Sequence, residues 1–444
     1  LELPVLMNTG YLSEKKRKKK CNFKISRLAT LALVFILVMS LTSCTTYDAF
    51  YETFIEKGAG DSNKVKIGIF EPLSGKDKEF GKLELEGIEL ANQLFPEVLG
   101  KTIELVVVDN QSDIYVAESV AKELVSKNVS VVLGSYGSAN SLVAAKIFEE
   151  AKIPAIAITN TNPLVTSYNP YYFRVCMLDT AQCEALTRYA IGNEFAATAA
   201  VLRPEKNDYA MAMAERLAAS FKRRLGNEAS VVASLSYNAQ KEDFKNELLK
   251  IKESGASVVF LPENPKKAIE IIKQARKLGL TQTFIGTDQW DNDEFINEAK
   301  NIDGGKISFS TAFDAKTDMT VMFDKFIEVY KKEYGNKSNP QSAVALGFDA
   351  YLLAVNAINY SRTSDDGKLI KNQLAQTRAF PGASGAINLD PNGDPIKSVV
   401  VYSIAKGQKI VEHTIEPQFF NSLIENEGLD GTTQVLPKTE KTDK

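Results

Sequence analysis

Apolar and polar positions alternate in two different rhythms along the chain from residue 64 onward. Residues 65–70 form a short, nearly continuous apolar run, which predicts a buried strand. Residues 79–94 place Leu83, Leu90 and Leu94 at helical spacing, which predicts an amphipathic helix. Strands buried on both faces are typical of parallel sheets, and their alternation with helices implies right-handed crossovers. The pattern therefore predicts the α/β class, with doubly wound parallel sheets.

The alternation runs through two series of similar length, followed by a helical stretch. The first series predicts further strands at 103–108, 129–133 and 154–158, with helices at 114–127 and 138–151. The second begins after residue 175, with helices at 180–193, 208–225, 242–253 and 266–278 and strands at 196–202, 230–236, 257–261 and 283–286. Three helices at 319–334, 343–359 and 368–377 then precede two strands at 386–389 and 398–405. We therefore expect two αβ lobes.

The first 43 residues have the layout of a bacterial export signal. Residues 15–20 are all basic, residues 28–41 are apolar, and small residues lead to Cys44. A membrane span requires about 20 apolar residues, so this shorter run favours a signal peptide over a transmembrane anchor. The order Leu41-Thr42-Ser43-Cys44 is similar to a lipobox. We therefore predict a lipoprotein signal peptide at 1–43, with Cys44 as the lipidated residue.

Two further segments are predicted to lie outside the folded body. Residues 44–63 would form a tether, whose apolar side chains lie on one helical face, at Tyr47, Phe50, Tyr51, Phe54 and Ile55. This face would rest either on the membrane or on the body of the protein, and the sequence leaves both open. Residues 417–444 are polar and are predicted to be a disordered tail.

Charge and histidine content narrow the classes of function. Residues 1–43 carry eight Lys and Arg against two acids, so their removal takes the formal charge from −3 to −9. An acidic surface argues against nucleic acid as a partner. The single histidine, His413, cannot supply a multi-histidine metal site and lies in a plain β-like run. We therefore expect no metal and no cofactor, and a histidine-dependent catalytic site is disfavoured, although a mechanism that uses carboxylates alone stays open.

Two cysteines, Cys176 and Cys183, remain after the signal segment and the lipidation site. Export would permit a disulfide between them. Free cysteine is often buried, and a strand followed by a helix does not ensure bonding geometry, so two buried thiols are preferred. The alternative of a disulfide stays open.

Small polar residues follow two strands of the first series. Residues 134–141 follow one strand and residues 159–163 follow the next, and both segments are rich in hydroxyls. The first opens a helix, whose free N–H groups suit an anion such as a carboxylate, and neither segment reads as a phosphate-binding glycine motif. Ordinary helix capping by Ser138 is the alternative.

An acid, Asp288, follows a strand of the second series, with an aromatic residue two positions later. It would suit a cation, or it would cap a helix. Since ligands bind beyond the carboxyl ends of parallel strands, an anion site on one lobe and a cation site on the other would together fit a free amino acid.

Taken in order and with their spacing, the motifs of this chain resemble the substrate-binding proteins of branched-chain amino acid ABC transporters. These have the periplasmic binding protein type I fold. The likeness runs from about residue 64 to 412. Its markers lie at 67–68, 72–75, 80–81, 87–91, 109–113, 153–154, 173–175, 274–280, 288–291, 346–350 and 390–394.

The resemblance implies two lobes joined by three crossovers, here near Leu178, Ala312 and Lys397, with the ligand in the cleft between them. Lobe 1 would then comprise residues 64–178 and 313–397. Lobe 2 would comprise residues 179–312 and 398–416.

The resemblance also implies a set of ligand-binding residues. Ser138 and Thr161 would bind the α-carboxylate and α-amino groups, assisted by Thr159 and the backbone around Asn160. The remaining members would be the aromatic residues Phe80 and Tyr209, the acid Asp288 that pairs with the α-ammonium, and Asn264. At Asn264 the chain departs from the family, which often has an aromatic residue there, so a more polar ligand is also possible.

We therefore expect an extracytoplasmic lipoprotein that captures an amino acid, most simply a branched-chain or other aliphatic one, and delivers it to an ABC transporter permease. It would be a monomer held at the cell membrane by its lipid anchor. A sensory module of the same fold, binding an amide, a small carboxylate or a peptide, is the alternative. An exported enzyme has the least support, because a nucleophile would have to rely on the one histidine.

Overall fold

The computed structural model describes residues 64–313, 320–336 and 340–415. These residues belong to one structural unit, Gly58–Lys444. The predicted signal peptide, Cys44, the tether and the tail at 417–444 lie outside the described residues. Those expectations therefore stay predictions.

The first sheet has six strands in the order β2-β3-β1-β4-β5-β6. They are β1 (Val65–Glu71), β2 (Glu97–Val98), β3 (Lys101–Asp109), β4 (Val131–Gly134), β5 (Ala155–Ala157) and β6 (Tyr172–Arg174). All neighbouring pairs are parallel except the short β2, which is antiparallel to β3. The central strand β1 buries Ile67 and Ile69 completely, as expected for a strand covered on both faces.

Three helices connect the strands of this sheet: α1 (Lys78–Leu94), α2 (Ile114–Ser126) and α3 (Ser138–Ala151). Asp113 begins α2 because its carboxylate accepts hydrogen bonds from the N–H groups of Tyr115 and Val116, at 2.8 and 3.2 Å. Helix α3 begins differently. Its capping residue is Gly137, with φ at 88°, and no side chain caps its first turn.

The second sheet has seven strands in the order β15-β14-β11-β10-β9-β7-β8. In chain order the strands are β7 (Ala199–Pro204), β8 (Val231–Tyr237), β9 (Val258–Phe260), β10 (Thr283–Ile285), β11 (Ile307–Thr311), the separate hairpin β12 (Phe380–Gly382) and β13 (Gly385–Ile387), then β14 (Val399–Ala405) and β15 (Gln408–Ile415). Strands β14 and β15 are antiparallel to their neighbours. The strands from 399 to 415 therefore return to the second sheet.

Five helices accompany the second sheet: α4 (Asp179–Gly192), α5 (Asp208–Leu225), α6 (Lys245–Ser254), α7 (Pro265–Lys277) and α8 (Asp293–Ala299). The core of this lobe gathers Phe284, Trp290, Phe295 and Phe309 with aliphatic side chains from β7 and β9. The Trp290 indole N–H donates to the Glu263 carbonyl at 2.8 Å, so even the largest buried side chain has its polar atom paired.

The last three helices are α9 (Val321–Tyr334), α10 (Ser342–Ser361) and α11 (Gly367–Ala375), and α10 packs against α1 of the first lobe. Glycines allow this close packing, since a Cβ at Gly87 would clash with the carbonyl of Val344. Among the described residues, α10 is the one helix long and apolar enough to cross a membrane. Because 78% of its most apolar 18-residue segment is buried within the protein, α10 is a core helix of the first lobe.

The predicted fold class is confirmed, with several departures from the predicted elements. Strands β2, β11, β12 and β15 and helix α8 were not predicted. The Ile307–Thr311 segment that forms β11 is short and half polar, so its pattern gives little strand signal. The second sheet is mixed at its β14–β15 edge, which the strand periodicity does not reveal.

The described residues include the two remaining cysteines and the single histidine. Cys176 and Cys183 are free and buried, which confirms the preferred interpretation as thiols. His413 is exposed on strand β15.

Candidate ligand-binding site

A cavity of about 510 Å³ lies where the carboxyl ends of strands from both sheets meet. Its walls come from the loop between β1 and α1, the loop between β4 and α3, the turn after β5, and the starts of α4 and α5. The turn after β10 completes it. This is the position at which open α/β sheets bind ligands. Six of the eight predicted ligand-binding residues line it: Phe80, Ser138, Thr159, Thr161, Tyr209 and Asp288.

Ser138 is the first residue of α3 and faces the cavity without capping the helix. The capping position belongs to Gly137, and no side chain caps the first turn, so the capping alternative for Ser138 is wrong. The first N–H groups of a helix have no partner within the helix and favour an anion. Its hydroxyl and the start of α3 therefore offer a place for a carboxylate.

The turn that carries Thr161 is held in place by hydrogen bonds from Arg174, which is completely buried. Its guanidinium donates to the carbonyls of Asn160 and Asn162, at 2.5 and 2.8 Å, on either side of Thr161. An ion pair with Asp394, 2.5 Å from Nε, holds the guanidinium in turn. Arg174 therefore positions the turn without itself lining the cavity.

Asp179, at the start of α4, is a cavity residue that the sequence analysis did not identify. It is 1% exposed, and its N–H donates to the Thr161 carbonyl at 2.9 Å. Burial raises the pKa of its carboxyl, whereas the Thr161 hydroxyl and the guanidinium of Arg216, 3.7 Å away, favour the charged form. The only sequence signal was an acid directly after the first predicted crossover.

Asp288 begins a short 3-10 turn, Asp288–Trp290, and lines the cavity together with Asp179. The hydroxyl of Tyr209 donates to Asp288 Oδ1 at 3.0 Å. Burial and then the charge of Asp179 raise the pKa of Asp288 to about 6, although hydrogen bonds from Tyr209 and Gln182 act in the opposite direction. Two neighbouring carboxyls thus concentrate negative charge in one part of the cavity.

An aromatic pair closes one side of the cavity. The rings of Phe80 and Tyr136 are stacked, with centroids 4.7 Å apart and planes inclined by 5°. The amide of Gln289, from the second lobe, donates to the Tyr136 hydroxyl at 3.3 Å. One hydrogen bond therefore connects loops of the two lobes directly over the cavity.

Two predicted site residues have other roles and are not among the cavity-lining residues of the described structure. Asn264 caps α7, because its side chain accepts from the Lys267 N–H at 3.1 Å and donates to Glu263 at 2.6 Å. The carbonyl of Asn160 is taken by Arg174 and by the Cys176 thiol, 3.2 Å away. The structure therefore places neither Asn264 nor Asn160 in the cavity lining, and a role for them in ligand binding stays a prediction.

Further charged residues stand around the cavity. The acids Asp77, Asp208 and Asp291 and the bases Lys76 and Lys206 contribute to its lining. Asp291 is paired with Lys409 at 3.2 Å. Within the described ranges, no group of three or more His, Cys, Asp and Glu side chains is arranged to hold a metal ion.

Comparison with known proteins is consistent along almost the whole described body. A family model for periplasmic binding proteins matches residues 64–409. The crystal structure of a leucine-binding protein, LivK of Thermotoga maritima, is 32% identical with a TM-score of 0.74, covering 80% of this chain and 99% of that chain.

Two further relatives extend this comparison. The branched-chain amino acid transporter substrate-binding protein LivJ of Streptococcus pneumoniae, solved in complex with isoleucine, is 26% identical with a TM-score of 0.70, covering 80% of this chain and 99% of that chain. The Leu/Ile/Val-binding protein homolog 2 of Brucella abortus is 26% identical over 352 residues, which are 78% of this chain and 91% of that protein.

Proposed function

Since the chain belongs to the periplasmic binding protein family, we propose that it captures a free amino acid in the cavity between its two lobes and delivers it to an ABC transporter permease. The family implies an extracytoplasmic location. Cys44 would hold the protein at the membrane through its lipid. No bond of the solute is made or broken in this function.

The observation that carries the proposal is that one cavity offers hydrogen-bond donors for a carboxylate and, at a separate position, carboxylates for an ammonium group. The α-carboxylate binds the Ser138 hydroxyl and the first N–H groups of α3. The α-ammonium binds the carboxylates of Asp288 and Asp179, with the Thr161 hydroxyl beside them. Charge-assisted hydrogen bonds of this kind are stronger than neutral ones, and exclusion of water strengthens them further. A zwitterion satisfies both ends at once.

The apolar part of the lining supports an aliphatic side chain on the ligand. Leu83, Ile114, Leu142 and Leu346 contribute to the cavity together with the Phe80 ring. Burial of a leucine-sized side chain against such a surface is worth about 1.5–3 kcal/mol. The relatives named for leucine, isoleucine and valine binding support the same class of ligand.

Lobe closure would couple capture to delivery. The hydrogen bond between Tyr136 and Gln289 joins the lobes only when their loops are close together. A ligand that touches both lobes binds the closed form better, so it shifts the equilibrium toward closure. The permease would then recognise the closed form.

A matched ligand series tests this proposal. Thermal unfolding and calorimetry are measured with L-leucine, L-isoleucine and L-valine, and with two leucine analogues. L-Leucinamide lacks the carboxylate, and 4-methylpentanoate lacks the ammonium group. Ligand at a hundredfold excess over its Kd should stabilise the protein by about 2.7 kcal/mol.

We expect stabilisation by at least one of the amino acids and much weaker binding of both leucine analogues. Equal binding of 4-methylpentanoate and leucine would remove the ammonium site from the proposal. A complete lack of response to the amino acids would contradict the proposed function itself.

A further inference from the structure

Two buried carboxyls lie directly behind the cavity wall, and the proposed function does not use them. Glu71 ends strand β1, Glu84 lies on α1, and both are completely buried. The two carboxyls interact with each other. No N–H or O–H group of the described residues donates a hydrogen bond to Glu71 Oε1 or Glu84 Oε2. The two carboxyls therefore form a pair that faces inward.

Each carboxyl uses its other oxygen to hold a residue of the cavity wall. Glu71 Oε2 accepts from the Tyr136 N–H at 2.8 Å, and Glu84 Oε1 accepts from the Thr159 hydroxyl. Tyr136 and Thr159 both line the cavity. Gly134 packs against Glu71 so closely that a Cβ there would clash with its carboxyl. The pair thus supports the two loops that carry Ser138 and Thr161.

Two ionised carboxylates in contact would repel each other strongly in a buried site, so a proton must lie between them. Burial, followed by the charge of Glu84, raises the pKa of Glu71 well above its ordinary value. Burial raises the pKa of Glu84 to about 7. At neutral pH the pair therefore retains at least one proton.

The groups around the pair offer no compensating positive charge. Tyr136, Tyr172 and Cys176 face it, and burial keeps all three neutral. Other charged groups on the elements that pack against the pair are engaged elsewhere: Asp109 of β3 with Ser74, Asp349 of α10 with Ser384, and Arg174 of β6 with Asp394.

We propose that Glu71 and Glu84 are positioning residues for ligand binding, whose shared proton holds Tyr136 and Thr159 in the cavity wall. The proposal rests on the proposed function, because the residues they position are those of the amino acid site. Loss of the shared proton places two charges in contact and drives the side chains apart. Thr159 and the Tyr136 N–H then leave their places, and the ligand binds more weakly.

The direction of the pH dependence follows from the raised pKa values. Glu84 ionises first, since its pKa is about 7, and its charge then raises the pKa of Glu71 and strengthens the hold of Glu71 on the shared proton. The folded protein binds that proton more tightly than the unfolded chain does, so this contribution to stability is lost only as pH rises through the raised pKa of Glu71. Ligand affinity should fall over the same range. An ordinary ion pair made by an acid behaves in the opposite way, since its contribution to stability is lost as pH falls.

The test compares the parent protein with Glu84→Gln and with Glu89→Gln, an exposed residue on the same helix. The glutamine at position 84 can still accept from Thr159 and donate to Glu71, but it does not titrate. The carboxyl carbons of [δ-13C]glutamate are titrated by NMR in the ligand-free protein. L-Leucine affinity is measured by calorimetry from about pH 6.5 upward to about pH 9, so that the series extends well beyond the ionisation of Glu84.

We expect a glutamate carboxyl in the parent that titrates near neutral pH and is absent from Glu84→Gln. Parent affinity should hold through the ionisation of Glu84 and fall by about tenfold for each pH unit above the raised pKa of Glu71, the slope expected when binding requires one bound proton. Glu84→Gln should lack this dependence and match the parent near pH 6.5. Glu89→Gln should behave as the parent.

Two results would overturn the proposal: both carboxyls fully ionised below about pH 5, their ordinary range, or the same affinity profile in the parent and Glu84→Gln. If L-leucine does not bind the parent at any pH, leucine is excluded as the ligand. The NMR titration of the glutamate carboxyl carbons then shows by itself whether Glu71 and Glu84 share a proton. A failure of the proposed ligand and a failure of the proposed carboxyl pair therefore give different results.

Discussion

At the scale of single residues, the cavity contains two acidic side chains, Asp288 and Asp179, whose pKa values are raised by burial. Burial is the largest cause for both residues, and the charge of Asp179 raises the pKa of Asp288 further. A ligand ammonium between them would relieve the repulsion. A cation bound beside the two carboxyls would therefore stabilise the site.

Replacement of Asp288 by asparagine keeps the shape of the side chain but removes its charge. Loss of a hydrogen bond to a charged group costs about 1.5–3 kcal/mol, so amino acid affinity should fall by about tenfold to a hundredfold. Calorimetry with the best ligand of the series measures the change. Asp303→Asn, at an exposed position of the same lobe, is the matched control. Unchanged affinity in Asp288→Asn would remove Asp288 from the site.

The Asp288→Asn variant should also differ from the parent in how its amino acid affinity depends on pH. The pKa of Asp288 is raised to about 6, so protonation below that value removes the partner of the ammonium. Parent affinity should therefore decline as pH falls through about 6. Asp288→Asn should lack this decline, and its persistence in the variant would assign it to another group.

At the scale of elements, the contact between α1 and α10 determines how the first lobe is built. Gly87 and Gly347 let the two helix backbones approach, since a Cβ at either would clash with a carbonyl of the other helix. The Tyr351 hydroxyl donates to Asn92 at 2.7 Å across the same contact. Because α1 also carries Glu84 and Phe80, this packing sets the position of one cavity wall.

Gly87→Ala tests this packing. Overpacking of a close helix contact costs about 1–3 kcal/mol, so the free energy of unfolding in urea should fall by that amount. Gly192→Ala is the control, because a Cβ at the end of α4 meets no atom within 4 Å. That variant should lie within about 1 kcal/mol of the parent, on the stabilising side. Equal midpoints for the two variants would show that α1 and α10 can separate at little cost.

At the scale of the whole molecule, two lobes with different sheets share one cavity. The last strands, β14 and β15, return to the second sheet after the helices α9–α11. A chain that passes between lobes more than once restrains their relative motion to hinge bending. The domain boundaries proposed from the resemblance, at residues 178, 312 and 397, are compatible with this path and stay a prediction.

At the same scale, we predict that membrane attachment of the chain depends on one atom, the Cys44 sulfur. Cys44→Ser should abolish incorporation of a labelled fatty acid in a bacterial host, because a thioether linkage requires the thiol. It should also shift the protein from the membrane to the soluble fraction, because the lipid chains that would anchor it are then absent. Cys21→Ser should change neither. Lipid labelling that survives in Cys44→Ser would contradict the lipoprotein prediction.

The order and type of most elements could be predicted from the sequence because hydrophobic periodicity is local. The helices Ser138–Ala151 and Asp208–Leu225 begin and end where the pattern predicts. The small polar loops after β4 and β5 were recognisable because ligands bind at the ends of parallel strands. Element order and one side of the cavity therefore follow from residues that are neighbours in the chain.

Only the tertiary structure decided which distant residues meet. Asp179 joins Asp288 although 109 positions separate them, Asn264 turns away to cap a helix, and Glu71 finds Glu84 and Tyr136 behind the cavity wall. Periodicity reports which face of an element is buried, but it carries no record of what lies opposite. The electrostatic character of the site arises from those long-range contacts, since burial and neighbouring charge set each pKa.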